Sequence, residues 1–136
     1  MKLYFLLGIF VFIFCFTNAA PAQKTENELT LGDKRQIIEA LLKEKFKRSP
    51  EKKIYISTAN LPDEIQNDFP PVKNKKIQLV SAANSADTGA CVYEFGKFEV
   101  IGRFISISFG NCNEGLGYDF TKFGDTWKSV GLTIAR

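Results

Sequence analysis

The sequence contains no histidine among its 136 residues. Histidine is the commonest general base in proteins and a frequent metal ligand. Its absence therefore excludes serine and cysteine nucleophiles that depend on a histidine, and every metal site built on imidazole. A strong net charge is also lacking, since 18 basic and 15 acidic residues leave a formal charge of +3. This near-neutral balance predicts no general attraction to nucleic acid.

The chain has one long apolar segment, and that segment is too short to span a bilayer. It runs from Leu3 to Phe16 without a charge, whereas a membrane helix needs about 20 apolar residues. Lys2 precedes the segment, and small residues fill positions 17–22 after it. These are the three parts of a signal peptide. We therefore predict that residues 1–22 are a signal peptide, cleaved after Ala19 or Ala22. The protein would be secreted or periplasmic, with no stable membrane anchor after cleavage.

Cysteine is scarce in this sequence. One of the three cysteines, Cys15, lies in the predicted signal peptide, which leaves Cys91 and Cys112 in the exported chain. An even number of cysteines in an exported protein predicts a disulfide. Two thiols alone do not build a structural zinc site, and the spacing is not that of a Cys-x-x-Cys redox pair. We predict a structural bridge, no metal and no cofactor.

The first part of the exported chain predicts a flexible leader and a helix. Residues 23–29 are polar and form the leader, and residues 30–136 form a single domain. Thr30 with Asp33 three residues later is a typical helix start. An apolar face follows at helical spacing, formed by Ile37, Ile38, Leu41, Leu42 and Phe46. The helix should end before Pro50, because the residue before a proline disfavours the helical conformation.

The remaining sequence alternates between strand-like segments and turns. Residues 53–57 and 76–80 predict two strands, with a helical turn after Pro62 between them and a loop at 81–89. Four further strands are predicted at 92–100, 103–109, 116–122 and 127–134, separated by short turns. Consecutive strands with short connections form an antiparallel meander. The predicted fold class is α+β, with one main N-terminal helix packed on an antiparallel β-meander of four to six strands.

The turn between the first two strands of this meander suggests how the cysteines meet. A two-residue turn at Ile101-Gly102 would place Cys91 directly opposite Cys112. It would also give the hairpin one apolar face, formed by Val92, Phe98, Val100, Ile105, Ile107 and Phe109. An alternative is a bulge at Gly96, which would turn Tyr93 and Phe95 inward instead.

Several side chains are candidates for chemistry or binding. Four carboxylates lie on or beside the predicted strands, Glu94, Glu99, Asp119 and Asp125, and would allow acid–base catalysis if two of them converged, as in glycosidases. Solvated charges on a strand face are the alternative. The basic residues between Lys43 and Lys53 would suit an anionic ligand, or a solvated helix end.

The element order resembles the cystatin-like and nuclear-transport-factor-like architectures of small exported bacterial domains, in which a sheet wraps a helix. Cystatins block papain-type proteases with a Gln-x-Val-x-Gly hairpin and a Pro-Trp hairpin. The segment from Phe98 to Gly102 is similar to the first hairpin, with Val100 and Gly102 kept and Phe98 in place of Gln. Thr126-Trp127 is similar to the second, with Trp127 kept and Thr126 in place of Pro. The resemblance implies binding through Ile101, Gly102 and Trp127.

These observations predict a small exported protein that is not an enzyme. We expect a binding or accessory module, with a protein as the candidate partner and no nucleic acid. Two alternatives from other classes remain open: a cystatin-like inhibitor of cysteine proteases, and a carboxylate-dependent enzyme in a cone of helix and sheet. Two exposed hairpin tips lying side by side, carrying Ile101 and Trp127, would favour the inhibitor. Two carboxylates converging in one apolar cavity would favour the enzyme.

Overall fold

The computed structural model describes residues 29–134, with Ile134 described by its backbone only. The predicted signal peptide at 1–22 lies outside the described residues, as does nearly all of the predicted leader at 23–29. Leu29, the last leader residue, is buried in the hydrophobic core. The core therefore includes one residue that the sequence assigns to the leader.

The predicted helix is present as α1, Leu31–Phe46. The Thr30 hydroxyl accepts a hydrogen bond from the Asp33 backbone N–H at 3.0 Å, and the Asp33 carboxylate accepts one from the Thr30 N–H at 3.1 Å. This reciprocal pair is a capping box, which stabilises the start of a helix. The apolar face is buried as predicted, at Ile37, Ile38, Leu41, Leu42 and Phe46.

Two strands after the helix pair in parallel, which the sequence did not predict. Strand β1, Lys53–Ser57, pairs with β2, Lys76–Val80, in a register that places Lys53 opposite Lys76. Helix α2, Asp63–Asn67, lies in the connection between them. A parallel pair requires a crossover that returns the chain to the same end of the sheet, and the α2 connection supplies it.

The second half of the chain forms the predicted antiparallel sheet. A 3-10 helix, Ala82–Thr88, occupies the predicted loop. The strands that follow are β3, Glu94–Phe95; β4, Glu99–Ile101; β5, Phe104–Gly110; β6, Gly115–Phe123; and β7, Thr126–Ile134. They are ordered β3-β5-β6-β7, and β4 also pairs with β5. The predicted α+β class, one main helix packed on a mostly antiparallel sheet, is confirmed.

The register of the first hairpin differs from the predicted one. Ile101 pairs with Phe104, so the turn is at Gly102-Arg103 and not at Ile101-Gly102. Gly102 has a φ of 62°, whereas Arg103 has no positive φ, which is the pattern of a type II′ turn. The physical reason for the difference is that a β-branched isoleucine resists the positive φ that the predicted turn required.

A bulge at Gly96 shifts the register again, as the alternative predicted. Before the glycine, Phe95 pairs with Phe109. After the glycine, the residues of β4 pair with β5 in a register that is shifted by one residue. A side chain at position 96 would meet the hydroxyl of Ser108, which would have to move, so the close approach of the two strands favours glycine there. Tyr93 and Phe95 are buried, whereas Val92 is only half-buried. The predicted inward orientation of Val92 is therefore wrong.

Tyr93 joins the parallel pair to the antiparallel sheet. Its backbone N–H donates to the Tyr55 carbonyl at 2.8 Å, and its carbonyl accepts from the Ser57 N–H at 2.7 Å. Its ring stacks on Phe109 with centroids 5.1 Å apart and meets the edge of Phe46 at 5.2 Å. Strand β1 therefore lies between Tyr93 and β2. Strand β2 is the outermost described strand at this end of the strand order.

Among residues 29–134, no helix is long and apolar enough to cross a membrane.

Candidate functional site at the hairpin tips

The turns of two hairpins lie next to each other at one end of the antiparallel sheet. The β4–β5 turn contains Gly102-Arg103, and the β6–β7 turn contains Gly124-Asp125. Because β5 and β6 are neighbours in the sheet, the two turns are brought side by side. The Thr121 hydroxyl lies 3.5 Å from the Arg103 carbonyl that it donates to. Two adjacent tips therefore form one surface.

Both tips expose large apolar side chains. Ile101 is 56% exposed on the first tip, and Phe123 is 54% exposed on the second. Cations flank the aromatic rings here, with the Lys128 Nζ 5.7 Å from the Phe123 ring centroid. Exposed apolar groups rimmed by polar ones are characteristic of interaction sites.

The start of helix α1 lies at the same end of the domain, because the buried carboxylate of Asp33 binds the β6–β7 hairpin. The Asp33 Oδ1 atom accepts a hydrogen bond from the Trp127 Nε1 at 2.8 Å and another from the Lys122 Nζ at 3.0 Å. Lys122 and Trp127 pair with each other one step below the β6–β7 turn. Leu31, the first helical residue, is 44% exposed. The helix start therefore adds a third exposed apolar side chain at this end.

Asp33 is held in its ionised form. Burial alone would raise the pKa of its carboxyl, but the hydrogen bonds from Trp127, Lys122 and Thr30 outweigh burial and hold the pKa well below its ordinary value. A carboxylate with so low a pKa carries no proton at neutral pH, so it is unsuited to act as a general acid. Its evident role is to fix the helix start against the second hairpin.

The predicted binding residues occupy different environments. Ile101 and Gly102 lie on the exposed first tip, as binding through them requires. Trp127 is only 6% exposed, and its indole N–H is bonded to Asp33. Trp127 is therefore part of the support of the second tip, and Phe123 is the exposed aromatic residue there. The sequence signal for Phe123 was its place in the predicted turn at 123–125, a pattern that indicates a turn without showing which side chain is exposed.

The strand carboxylates lie apart from one another. Glu94 lines an open cavity of about 550 Å³ beside the disulfide. Glu99 and Asp119 flank Ser106 on neighbouring strands, each paired with it in the sheet register. Two strand spacings therefore separate these two carboxylates, about 10 Å. This geometry brings no two of Glu94, Glu99 and Asp119 together in one cavity.

Cys91 and Cys112 form a disulfide with their Cα atoms 5.6 Å apart. The predicted bridge is therefore present, although the register that suggested it is wrong. Among the described residues, no group of three or more cysteine or carboxylate side chains is arranged to hold a metal ion.

A comparison of the chain with family models, curated proteins and solved structures finds no match. The resemblance to cystatins therefore stays a prediction from the sequence.

Proposed function

We propose that the protein is a small exported binding module without catalytic activity, which docks a partner protein on its two hairpin tips. The observation that carries this proposal is the exposure of Ile101 and Phe123 on adjacent turns. The signal-like sequence at 1–22 and the disulfide support export to an oxidising compartment. N-terminal sequencing of the secreted product tests the export step, and a product that begins at Met1 would contradict it.

The tips are preorganised for binding, which lowers the entropy lost on association. Each tip is a tight turn with a glycine at positive φ, Gly102 and Gly124. The second tip is also stabilised by the hydrogen bonds that Asp33 accepts from Lys122 and Trp127, the residue pair next to its turn. Rigid presentation of a few apolar side chains is how binding hot spots are built.

Inhibition of papain-type proteases is a second candidate, supported by the adjacent tips. A cystatin inserts two neighbouring hairpins into the protease cleft, and here the Val100-x-Gly102 segment forms one such hairpin. The buried position of Trp127 counts against this candidate, because a cystatin presents its tryptophan to the protease. Papain and a fluorogenic peptide substrate provide the test. Inhibition that Ile101→Asp abolishes would support the candidate, and full papain activity at a large excess of the protein would eliminate it.

Site-specific photocrosslinking in the producing cell tests docking itself. A photoreactive phenylalanine is placed at position 101, 123 or 130. Val130 is the matched control, because it is 47% exposed but lies on β7 away from the tips. We expect discrete adducts at 101 and 123 and none at 130. Equal labelling at all three positions, or no adduct at the tips, would refute docking at this surface.

A further inference from the structure

Within residues 29–134, strand β2 has an open backbone edge. Its one partner among the described strands is β1. The Lys76 N–H donates to the Lys52 carbonyl at 2.8 Å, and the Val80 carbonyl accepts from the Thr58 N–H at 2.9 Å. Backbone groups alternate in direction along a strand, so the N–H and C=O groups of Ile77 and Leu79 point away from β1. These are the groups that an additional strand would pair with.

A cavity lies on each face of β2 at this edge. The first is an open apolar groove of about 250 Å³, lined by Phe69, Pro71, Val72, Ile77 and Leu79. The second is a polar cavity of about 560 Å³ on the opposite face, and its lining includes Lys53, Tyr55, Gln78, Asn84 and Asp87. Successive side chains of an added strand would point alternately into the groove and into the polar cavity. The edge therefore favours a segment that alternates apolar and polar residues.

Lysines outnumber carboxylates around this edge, where Asp87 is the one acidic residue that lines either of the two cavities. Lys52, Lys53, Lys73 and Lys76 are exposed, and none of them forms an ion pair with a described residue. Lys53 and Lys76 stand directly opposite each other in the parallel register, an arrangement of like charges that destabilises a sheet. A carboxylate placed beside Lys76 would relieve that repulsion.

We propose that β2 is a second binding site, which takes an extended acidic segment of a partner protein as an added strand. Apolar side chains of the segment enter the groove beside Ile77 and Leu79, and its carboxylates contact Lys53 and Lys76. Affinity comes from the main-chain hydrogen bonds, and specificity comes from the alternating cavities and the charge. This site lies on a different strand from the hairpin tips and does not depend on them.

The same lysines argue against a second copy of this chain as the occupant. Two β2 edges brought together would concentrate lysines of both copies at one interface, and lysine on an edge strand is a known safeguard against self-pairing. The groove is also smaller than the 300–1,000 Å³ or so that encloses a small organic ligand. It fits the side chains of a peptide better.

Synthetic peptides test the proposal by isothermal titration with the exported protein. The probes are peptides of alternating glutamate and valine, glutamine and valine, or lysine and valine. We expect the glutamate peptide to bind about tenfold more tightly than the glutamine peptide, since each of a few surface pairs contributes modestly. The advantage should vanish near 1 M salt, where the Debye length falls to about 3 Å.

Variants and modified peptides then locate the site. The double variant Lys53→Glu with Lys76→Glu should reverse the charge preference, whereas Lys97→Glu, an exposed lysine on the β3–β4 connection, should not. Two further peptides carry N-methyl groups on alternate backbone amides. Methylation of the amides that face Ile77 and Leu79 should abolish binding, whereas methylation of the amides that point away from β2 should leave binding unchanged. Equal effects of both sets would overturn strand addition.

The remaining outcomes also decide the proposal. Equal affinity for the glutamate and glutamine peptides would overturn the acidic preference, as would the absence of any peptide binding. Binding of heparin through these lysines, without binding of the glutamate peptide, would assign the surface to a polyanion and overturn the proposal. A dimer in sedimentation that Leu79→Pro dissociates would assign the edge to a second copy. None of these results bears on crosslinking at positions 101 and 123.

Discussion

Replacing Asp33 by asparagine should destabilise the protein and loosen the candidate site together. From the described residues, the carboxylate accepts hydrogen bonds at Oδ1 from Lys122 and Trp127 and at Oδ2 from the N–H and hydroxyl of Thr30. An asparagine side chain has the same shape, but its amide nitrogen would face two donors and accept from neither. The variant therefore loses two accepted bonds and the negative charge.

The expected cost is about 3 kcal/mol at pH 7. A hydrogen bond to a charged group contributes about 1.5–3 kcal/mol, and the capping interaction alone contributes about 1 kcal/mol. The Lys122 side chain is 33% exposed, so its contribution is reduced by solvent. The Trp127 bond is buried and should dominate.

The cost should also depend on pH. Because the folded-state pKa of Asp33 lies below its unfolded value of about 3.9, the stability that it contributes is present above that value. It is lost as the pH falls towards the folded-state pKa. At pH 3 the difference between wild type and Asp33→Asn should therefore shrink by about 1 kcal/mol.

Urea denaturation followed by fluorescence measures these differences directly. Trp127 is the single tryptophan of the chain, so its emission reports on the residue that contacts Asp33. Asp125→Asn is the matched control, because Asp125 is exposed in the β6–β7 turn and its substitution should change stability by less than about 0.5 kcal/mol. The assigned role would be refuted if Asp33→Asn lowered the free energy of unfolding by less than about 0.5 kcal/mol. It would also be refuted if the loss were the same at pH 7 and pH 3.

Three other predictions concern the helix, the disulfide and a buried tyrosine. Leu41→Ala should lower the free energy of unfolding by about 2–5 kcal/mol, whereas Lys43→Ala on the polar face should cost about 0.5 kcal/mol; equal costs in urea denaturation would contradict the face assignment. Removing the Cys91–Cys112 bridge should cost about 3 kcal/mol, and labelling of denatured, unreduced protein should find no free thiol. Burial and nearby acidic charges raise the pKa of Tyr118 to about 12. Its contribution to stability is therefore present below pH 10 and is lost as the pH rises towards that value, so Tyr118→Phe should reduce the alkaline loss of stability in urea titrations.

Local sequence patterns were sufficient to predict most of the elements. The helical spacing from Ile37 to Phe46 and the capping pair of Thr30 and Asp33 predicted α1 correctly, because both signals act within one or two turns. Strands β1 and β2 were predicted within the same bounds. The parallel pairing of these two strands was missed, since it depends on where the α2 connection places β2 and not on the strands themselves.

The register and the support of the candidate site required long-range information. The bulge at Gly96 was one of two arrangements that the sequence allowed, and the choice rests on contact with Ser108 across the sheet. Asp33 was recognised as a helix cap, but its bonds to Trp127 connect residues that are 94 positions apart. No periodic pattern encodes such a pair. A tryptophan near a turn is consistent with an exposed tip or a buried support, and only the packing distinguishes them.

Strands β7 and β2 are both edges of the described sheet and are protected in different ways, and the difference favours β2 over β7 as an edge for binding. On β7 the register shifts beside Asp119, so Val130 has no partner on β6. Such a bulge interrupts a straight ladder for any incoming strand, whatever its charge. Strand β2 keeps a regular register along its whole length, and its protection comes from lysines. Charge repels only strands of the same sign, so the β2 edge excludes basic segments and copies of itself while it remains geometrically able to pair with an acidic one.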